Sequence, residues 1–217
     1  VRESVAREHF RYSRNPAVRP RPDEVEVTSD FALALEAPST ELTAFLLADF
    51  RRFFAECMDV RFRSGKASPI LIFRLTGSGG PMRSAEDEAF SLVVKPDLVL
   101  ISARHERGLL QASHFVEREA ARRGGPFLRR GTVTRTPQFH PRISLTIGRL
   151  EEQPLDPALS LLSHFGINGV FLHTTLWSCS RNSILPELNP ADLEKTQQKL
   201  RELCRTAGRH GIDLYLN

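Results

Sequence analysis

The last third of the chain, Phe139 to Asn217, constrains the fold most, because it alternates strand-like and helix-like segments. Strand patterns fall at Arg142–Ile147, at Ile167–Thr175 and at Ile212–Asn217. Between the first two, Asp156-Pro157 marks a helix start, an N-cap with proline in the first turn. Leu159, Leu162 and Phe165 form its expected inward face, and Gly166 closes it. Before the third strand, Asn189 caps and Pro190 opens a helix whose expected buried stripe is Leu193, Leu200, Leu203, Cys204 and Ala207, with Gly211 as the stop. Strand–helix–strand alternation of this length makes right-handed βαβ units on a parallel sheet. The pattern predicts the opening of a (β/α)8 TIM barrel, truncated after three strands. A parallel sheet has both faces covered, and a third strand left as a raw edge is a liability. A piece of a longer protein is therefore the expectation.

The part before it has another rhythm. Val25 to Leu35 alternates as strand, with a break at Ser29-Asp30. Pro38-Ser39-Thr40 opens a helix with apolar positions Leu42, Phe45, Leu46, Phe50, Phe53, Phe54 and Cys57 at spacings of three and four. Strands follow at Pro69–Leu75, Glu88–Val94 and Asp97–Ser102, the last two joined as a hairpin at Lys95-Pro96. A helix from Glu106 to Arg123 carries Leu109, Ala112, Val116 and Ala120 on one face, and Gly124-Gly125 end it. A short strand, Phe127–Val133, precedes Pro137. This order predicts an α+β domain of one sheet with helices on one side. The expected domains are an Arg-rich, poorly ordered arm over residues 1–22, a non-catalytic α+β domain over 23–135, and an incomplete barrel over 136–217.

Charge and cysteines narrow the function classes. The net charge of +4 has a concentrated source in Arg2, Arg7, Arg11, Arg14, Arg19 and Arg21. No aromatic platform or groove-reading helix follows that arm, so no nucleic-acid partner is expected. No apolar run reaches 18 residues, so no helical membrane span or membrane partner is expected. Cys57, Cys179 and Cys204 are widely spaced with no C-x-x-C pair, which argues against a disulfide framework and a structural zinc site. The Gly77–Gly80 turn lacks the Lys-Ser/Thr pair of a phosphate loop. No metal and no cofactor are expected.

Two stretches carry a family resemblance. Ser102-Ala-Arg-His-Glu-Arg-Gly-Leu-Leu-Gln-Ala112 resembles the strand-to-helix passage at the end of the small N-terminal domain of glycoside hydrolase family 20, the β-N-acetylhexosaminidases. Pro137-Gln-Phe-His-Pro-Arg142 is similar to the approach to that family's catalytic barrel, and Asn168-Gly-Val-Phe-Leu-His173 to its second strand. The resemblance implies a small domain like a zincin fold without its metal motif, and indeed no His-Glu-x-x-His occurs. It also implies a carbohydrate substrate, with Arg142 matching an arginine that hydrogen-bonds hydroxyls of the terminal sugar. A guanidinium suits that role through its fixed fork of donors. The chain departs from the family where Thr175-Leu-Trp177 replaces a Thr-Asp-Asp type sequence, and where Ile143-Ser-Leu-Thr146 follows Arg142. A related barrel glycosidase of α-glucuronidase type therefore stays open, as does a non-catalytic carbohydrate-binding or interaction module.

Active residues of barrels sit at the C-terminal strand ends. His173 is placed to bond a sugar hydroxyl or hold a carboxylate, and otherwise is a structural histidine. Trp177 is placed to stack on a sugar ring, and otherwise packs on the long Ser178–Leu188 loop. Arg142 is either a substrate contact or half of a structural ion pair. Glycoside hydrolysis needs two carboxyl groups, or one acid and a substrate acetamido group. The resembled family carries its Asp-Glu pair after the fourth strand, beyond Asn217. No catalytic residue is therefore assigned within this chain, which is expected to be inactive by itself.

Overall fold

The computed structural model describes residues 13–65, 67–77, 84–145, 155–172, 181, 183 and 193–216. The chain divides into two compact units, Val1–His140 and Pro141–Asn217.

In the first unit the strands are β1 (Glu24–Glu26), β2 (Ala32–Glu36), β3 (Arg63–Ser64), β4 (Ile70–Leu75), β5 (Phe90–Lys95), β6 (Leu98–Ala103), β7 (Phe127–Arg129) and β8 (Gly131–Arg135); the helices are α1 (Glu41–Cys57) and α2 (Glu106–Arg123). A six-stranded sheet has the order β3-β2-β4-β6-β5-β8. β3, β2, β4 and β6 are mutually parallel, whereas β6, β5 and β8 pair antiparallel. Separately, β1 pairs antiparallel with β7. The expectation of one sheet is thus corrected. The run Phe127–Val133 bends at Gly131 (φ 121°), a backbone geometry that glycine tolerates, and its two halves pair in different sheets.

The alternation of side chains along the strands builds the core. Leu33, Leu71, Phe73, Leu92, Val94, Val99 and Ile101 share a cluster with the apolar stripes of both helices. Phe50 lies at its centre, fully buried, with ring centroids 4.7 Å from Phe54, 5.1 Å from Phe73 and 5.8 Å from Phe62. The opposite sheet face carries a smaller cluster of Ala32, Ala34 and Ile70.

Both helices begin where the sequence predicts, and α2 also ends there. Thr40 caps α1: its hydroxyl accepts from Thr43 N, and Thr43 Oγ1 accepts from Thr40 N at 2.9 Å. α2 stops at Gly124, which adopts the left-handed conformation at φ 70°.

The expected poorly ordered arm is corrected for its second half. Arg14 N donates to Cys57 O, Asn15 N to Gly124 O, and Arg123 Nη2 to Arg19 O. Arg14 also pairs with Glu26, and Arg123 with Glu24 at 2.7 Å. Backbone bonds to the ends of α1 and α2 fix this stretch where composition alone suggests a solvated tail. Residues 1–12 lie outside the described residues.

The second unit contains β9 (Ile143–Leu145), α3 (Leu155–His164), β10 (Gly169–Leu172), α4 (Leu193–Arg209) and β11 (Asp213–Leu216). The three strands are parallel in the order β11-β10-β9, with Ile143 level with Gly169 and Gly169 level with Asp213. Leu159, Val170, Ala207 and Ile212 form its core. Gly169 has a steric reason: a Cβ there would lie 2.7 Å from the Tyr215 ring and 3.0 Å from Ile143 Cγ1.

Three expectations change in this unit. Phe165 is 75% exposed, because α3 ends at His164 and the following turn carries the ring away from the Leu159 face. Cys204 is exposed, one step round α4 from the buried Leu203–Ala207 line. Asp156 lies inside the first turn of α3 and bonds to the far end of α4. The expected cap at Asn189-Pro190 lies outside the described residues. No helix among the described residues is long and apolar enough to cross a membrane.

Candidate functional site

In a parallel sheet of this kind the register defines two edges. Arg142, Asn168 and Ile212 lie at the N-terminal edge, and Leu145, Leu172 and Leu216 end the strands at the C-terminal edge. Arg142 is held at the former. Its N–H donates to Asn168 Oδ1 at 2.6 Å, and its Nε donates to the Gly166 carbonyl at 2.5 Å. Its carbonyl accepts from Asn168 N and Gly169 N at 3.0 and 3.1 Å. Asn168 is 1% exposed, and its own carbonyl accepts from Asp213 N at 2.9 Å. The Asn168-Gly169 pair thus joins the starts of all three strands. The partner of Arg142 Nε is a backbone carbonyl.

His173 and Trp177 follow β10 in the sequence and lie outside the described residues. Arg142 is therefore the one proposed site residue whose surroundings the structure gives. None of the residues that end β9, β10 or β11 is an acid.

A second polar group in this unit escapes a sequence reading. Asp156 Oδ1 accepts from His210 Nε2 at 2.7 Å and also receives the Arg209 guanidinium. His210 is 1% exposed, whereas the Asp156 side chain is 53% exposed. Partial burial pushes the Asp156 carboxyl up, but the hydrogen bonds and positive charge of His210 and Arg209 outweigh it and hold it below its ordinary value. This clasp ties the start of α3 to the end of α4.

In the first unit the described polar groups that stand out are Asp49 on α1 and His114 and Glu117 on α2, all buried. One ligand atom from each lies within 4.8 Å of the others. Arg52 donates to Asp49 from the next turn. Burial lowers the pKa of the neighbouring Arg118, against the opposing pull of Glu117 and Glu119. Cys57 is a buried free thiol, pushed up to about 11 by burial and then by the Glu56 and Glu117 carboxylates, so it stays protonated and unreactive. The signal for the cluster was present as His114-x-x-Glu117, two polar residues one helical turn apart. Their partner Asp49 belongs to a distant stretch, and no local pattern announces it.

These two units, a mixed sheet under two helices and a three-stranded parallel βαβαβ unit, define a mixed α/β protein. No protein-family model matches the sequence, and no curated protein matches it. Solved structures do match the fold. A GH138 enzyme targeting pectin rhamnogalacturonan II is similar at a TM-score of 0.69 and 13% identity, over 86% of this chain and 24% of that one. The Flavobacterium johnsoniae chitobiase, of family GH20, is similar at 0.64 and 19%, over 94% of this chain and 33% of its own. A mutant Streptomyces plicatus β-hexosaminidase in complex with its product GlcNAc is similar at 0.62 and 18%, over 92% and 44%. At such identities the likeness shows the fold: this chain folds as part of a family 20 hexosaminidase does. It spans less than half the length of each of these relatives.

Proposed function

We propose that this chain is the N-terminal portion of a glycoside hydrolase of the family 20 type, acting on terminal N-acetylhexosamine-type sugars. In this reading residues 23–135 form its non-catalytic α+β domain, and residues 136–217 supply the first three strands of a (β/α)8 barrel. The observation that carries the reading is the fold likeness to carbohydrate-active enzymes over 86–94% of this chain, which takes in both units. Three consecutive parallel strands joined through helices are also what the opening of such a barrel requires.

The chemistry then divides by edge. Arg142 and Asn168 hold the N-terminal edge, where barrel enzymes keep stability, whereas the sugar belongs at the C-terminal edge. His173 and Trp177, which follow β10, are the residues we assign to the sugar: an imidazole for a hydroxyl and an indole face for the ring. The carboxyl groups that glycoside hydrolysis needs lie beyond Asn217 in this reading, so the 217-residue chain binds at most part of a substrate and does not turn it over.

A second reading has one observation in its favour, the TM-score of 0.69 to the pectin-targeting enzyme. It keeps the barrel but makes the substrate an acidic sugar. The test assays the product of the whole reading frame and the 217-residue chain on 4-nitrophenyl N-acetyl-β-glucosaminide, N-acetyl-β-galactosaminide, glucuronide and galacturonide. We expect hydrolysis of the N-acetylated substrates by the whole product alone. Turnover of the uronides alone establishes the second reading. Turnover by the 217-residue chain places the acids inside it, and no turnover by either protein overturns the proposal.

A further inference from the structure

The cluster on α1 and α2 points to a ligand that the glycosidase reading does not use. Asp49, His114 and Glu117 are 4%, 1% and 3% exposed, on two helices of the same unit. A divalent ion set between buried carboxylates offsets their charge where water cannot reach them. Arg52, its side chain 48% exposed, reaches Asp49 from the next turn of α1. One imidazole and two carboxylates, each offering a donor atom within 4.8 Å of the others, make a ligand set that a single divalent ion can serve. Metal bonds of about 2.0–2.2 Å bring such donors to roughly 3–4 Å from one another, a contraction within the reach of small rotamer changes.

We propose that Asp49, His114 and Glu117 form a divalent-cation site of the zinc class, bracing α1 to α2 inside the first unit. His114 and Glu117 meet the ion together because a spacing of three places them on neighbouring turns of one helix face. The imidazole selects zinc or a similar transition ion over calcium and magnesium, which take oxygen donors. The donor set differs from the His-Glu-x-x-His arrangement absent from this sequence: it takes two residues from one helix and one from another. The proposal is independent of the glycosidase reading.

The test uses the untagged 217-residue chain, stripped with a chelator and titrated calorimetrically with zinc chloride, with magnesium and calcium chloride as controls. We expect about one equivalent of zinc bound and a raised melting temperature, as for any ion that binds only the folded state. Glu117→Gln and Asp49→Asn, which preserve shape, weaken binding by at least about tenfold, the loss that even supporting residues of metal sites cause. Glu119→Gln, on the exposed side of α2, leaves it unchanged. The X-ray absorption spectrum of the zinc-loaded wild-type chain shows one imidazole among oxygen ligands, a readout that does not depend on the variants folding. Absence of zinc binding, unchanged affinity in both variants, or a shell without imidazole overturns the proposal.

Discussion

Two helical glycines with opposite surroundings give the sharpest energetic prediction. Gly108 lies in the first turn of α2, within the stretch that resembles the hexosaminidase small domain. A Cβ there would lie 2.8 Å from Ala103 Cβ and 2.8 Å from the Ala89 carbonyl oxygen. Neither is the end of a flexible side chain: one methyl stands on the last residue of β6, and the carbonyl belongs to the backbone leading into β5. Gly208, in the last turn of α4, would meet nothing within 4 Å. Glycine to alanine in a helix gains up to about 1 kcal/mol from propensity. At Gly108 that gain opposes overpacking against backbone, worth up to about 3 kcal/mol, so Gly108→Ala loses about 2 kcal/mol. At Gly208, near a helix end, the gain stands unopposed at about 0.5 kcal/mol. The assay is urea unfolding followed by circular dichroism, with native-state hydrogen exchange of α2 and α4 peptides reading each unit separately. A Gly108→Ala chain as stable as wild type, or a Gly208→Ala chain that loses stability, refutes the steric reasoning.

Further expectations follow from packing and charge. Phe50→Ala removes the central ring of the first unit and costs about 3–5 kcal/mol, read as a fall in the urea midpoint. Asn168→Ala leaves the Arg142 N–H without its side-chain acceptor and destabilises the second unit by about 1–3 kcal/mol, seen as faster exchange in β9 and β10. The Asp156 carboxyl titrates below its ordinary value when folded. Its clasp therefore contributes fully above the ordinary carboxylate value near 3.8 and is lost as pH falls through the lower folded value. Asp156→Asn should flatten that acid-side loss in urea midpoints measured between neutral pH and pH 2, with a modest effect at neutral pH because the side chain is half exposed.

What the sequence made legible was local. The spacing of Leu109, Ala112, Val116 and Ala120 places a buried helix face, and Gly124 ends that helix at a positive φ. The hairpin around Lys95-Pro96 and the three parallel strands of the second unit are also visible as periodicity and punctuation. Strand order was not: nothing local tells β2 that its neighbours are β3 and β4, nor β1 that it pairs with β7. The Arg142 contact was hidden because its acceptor is the backbone of Gly166, which any residue type would offer. The Asp49–His114–Glu117 cluster was hidden because it forms only when two helices distant in sequence pack on one sheet.

The proposed function requires this chain to be part of a larger hydrolase, and the most direct measurement is the intact mass of the gene product isolated from its source. The proposed function predicts a product longer than 217 residues by roughly what completes a barrel of about 250 residues, with an acidic pair after the next strand. A product that stops at Asn217 contradicts it.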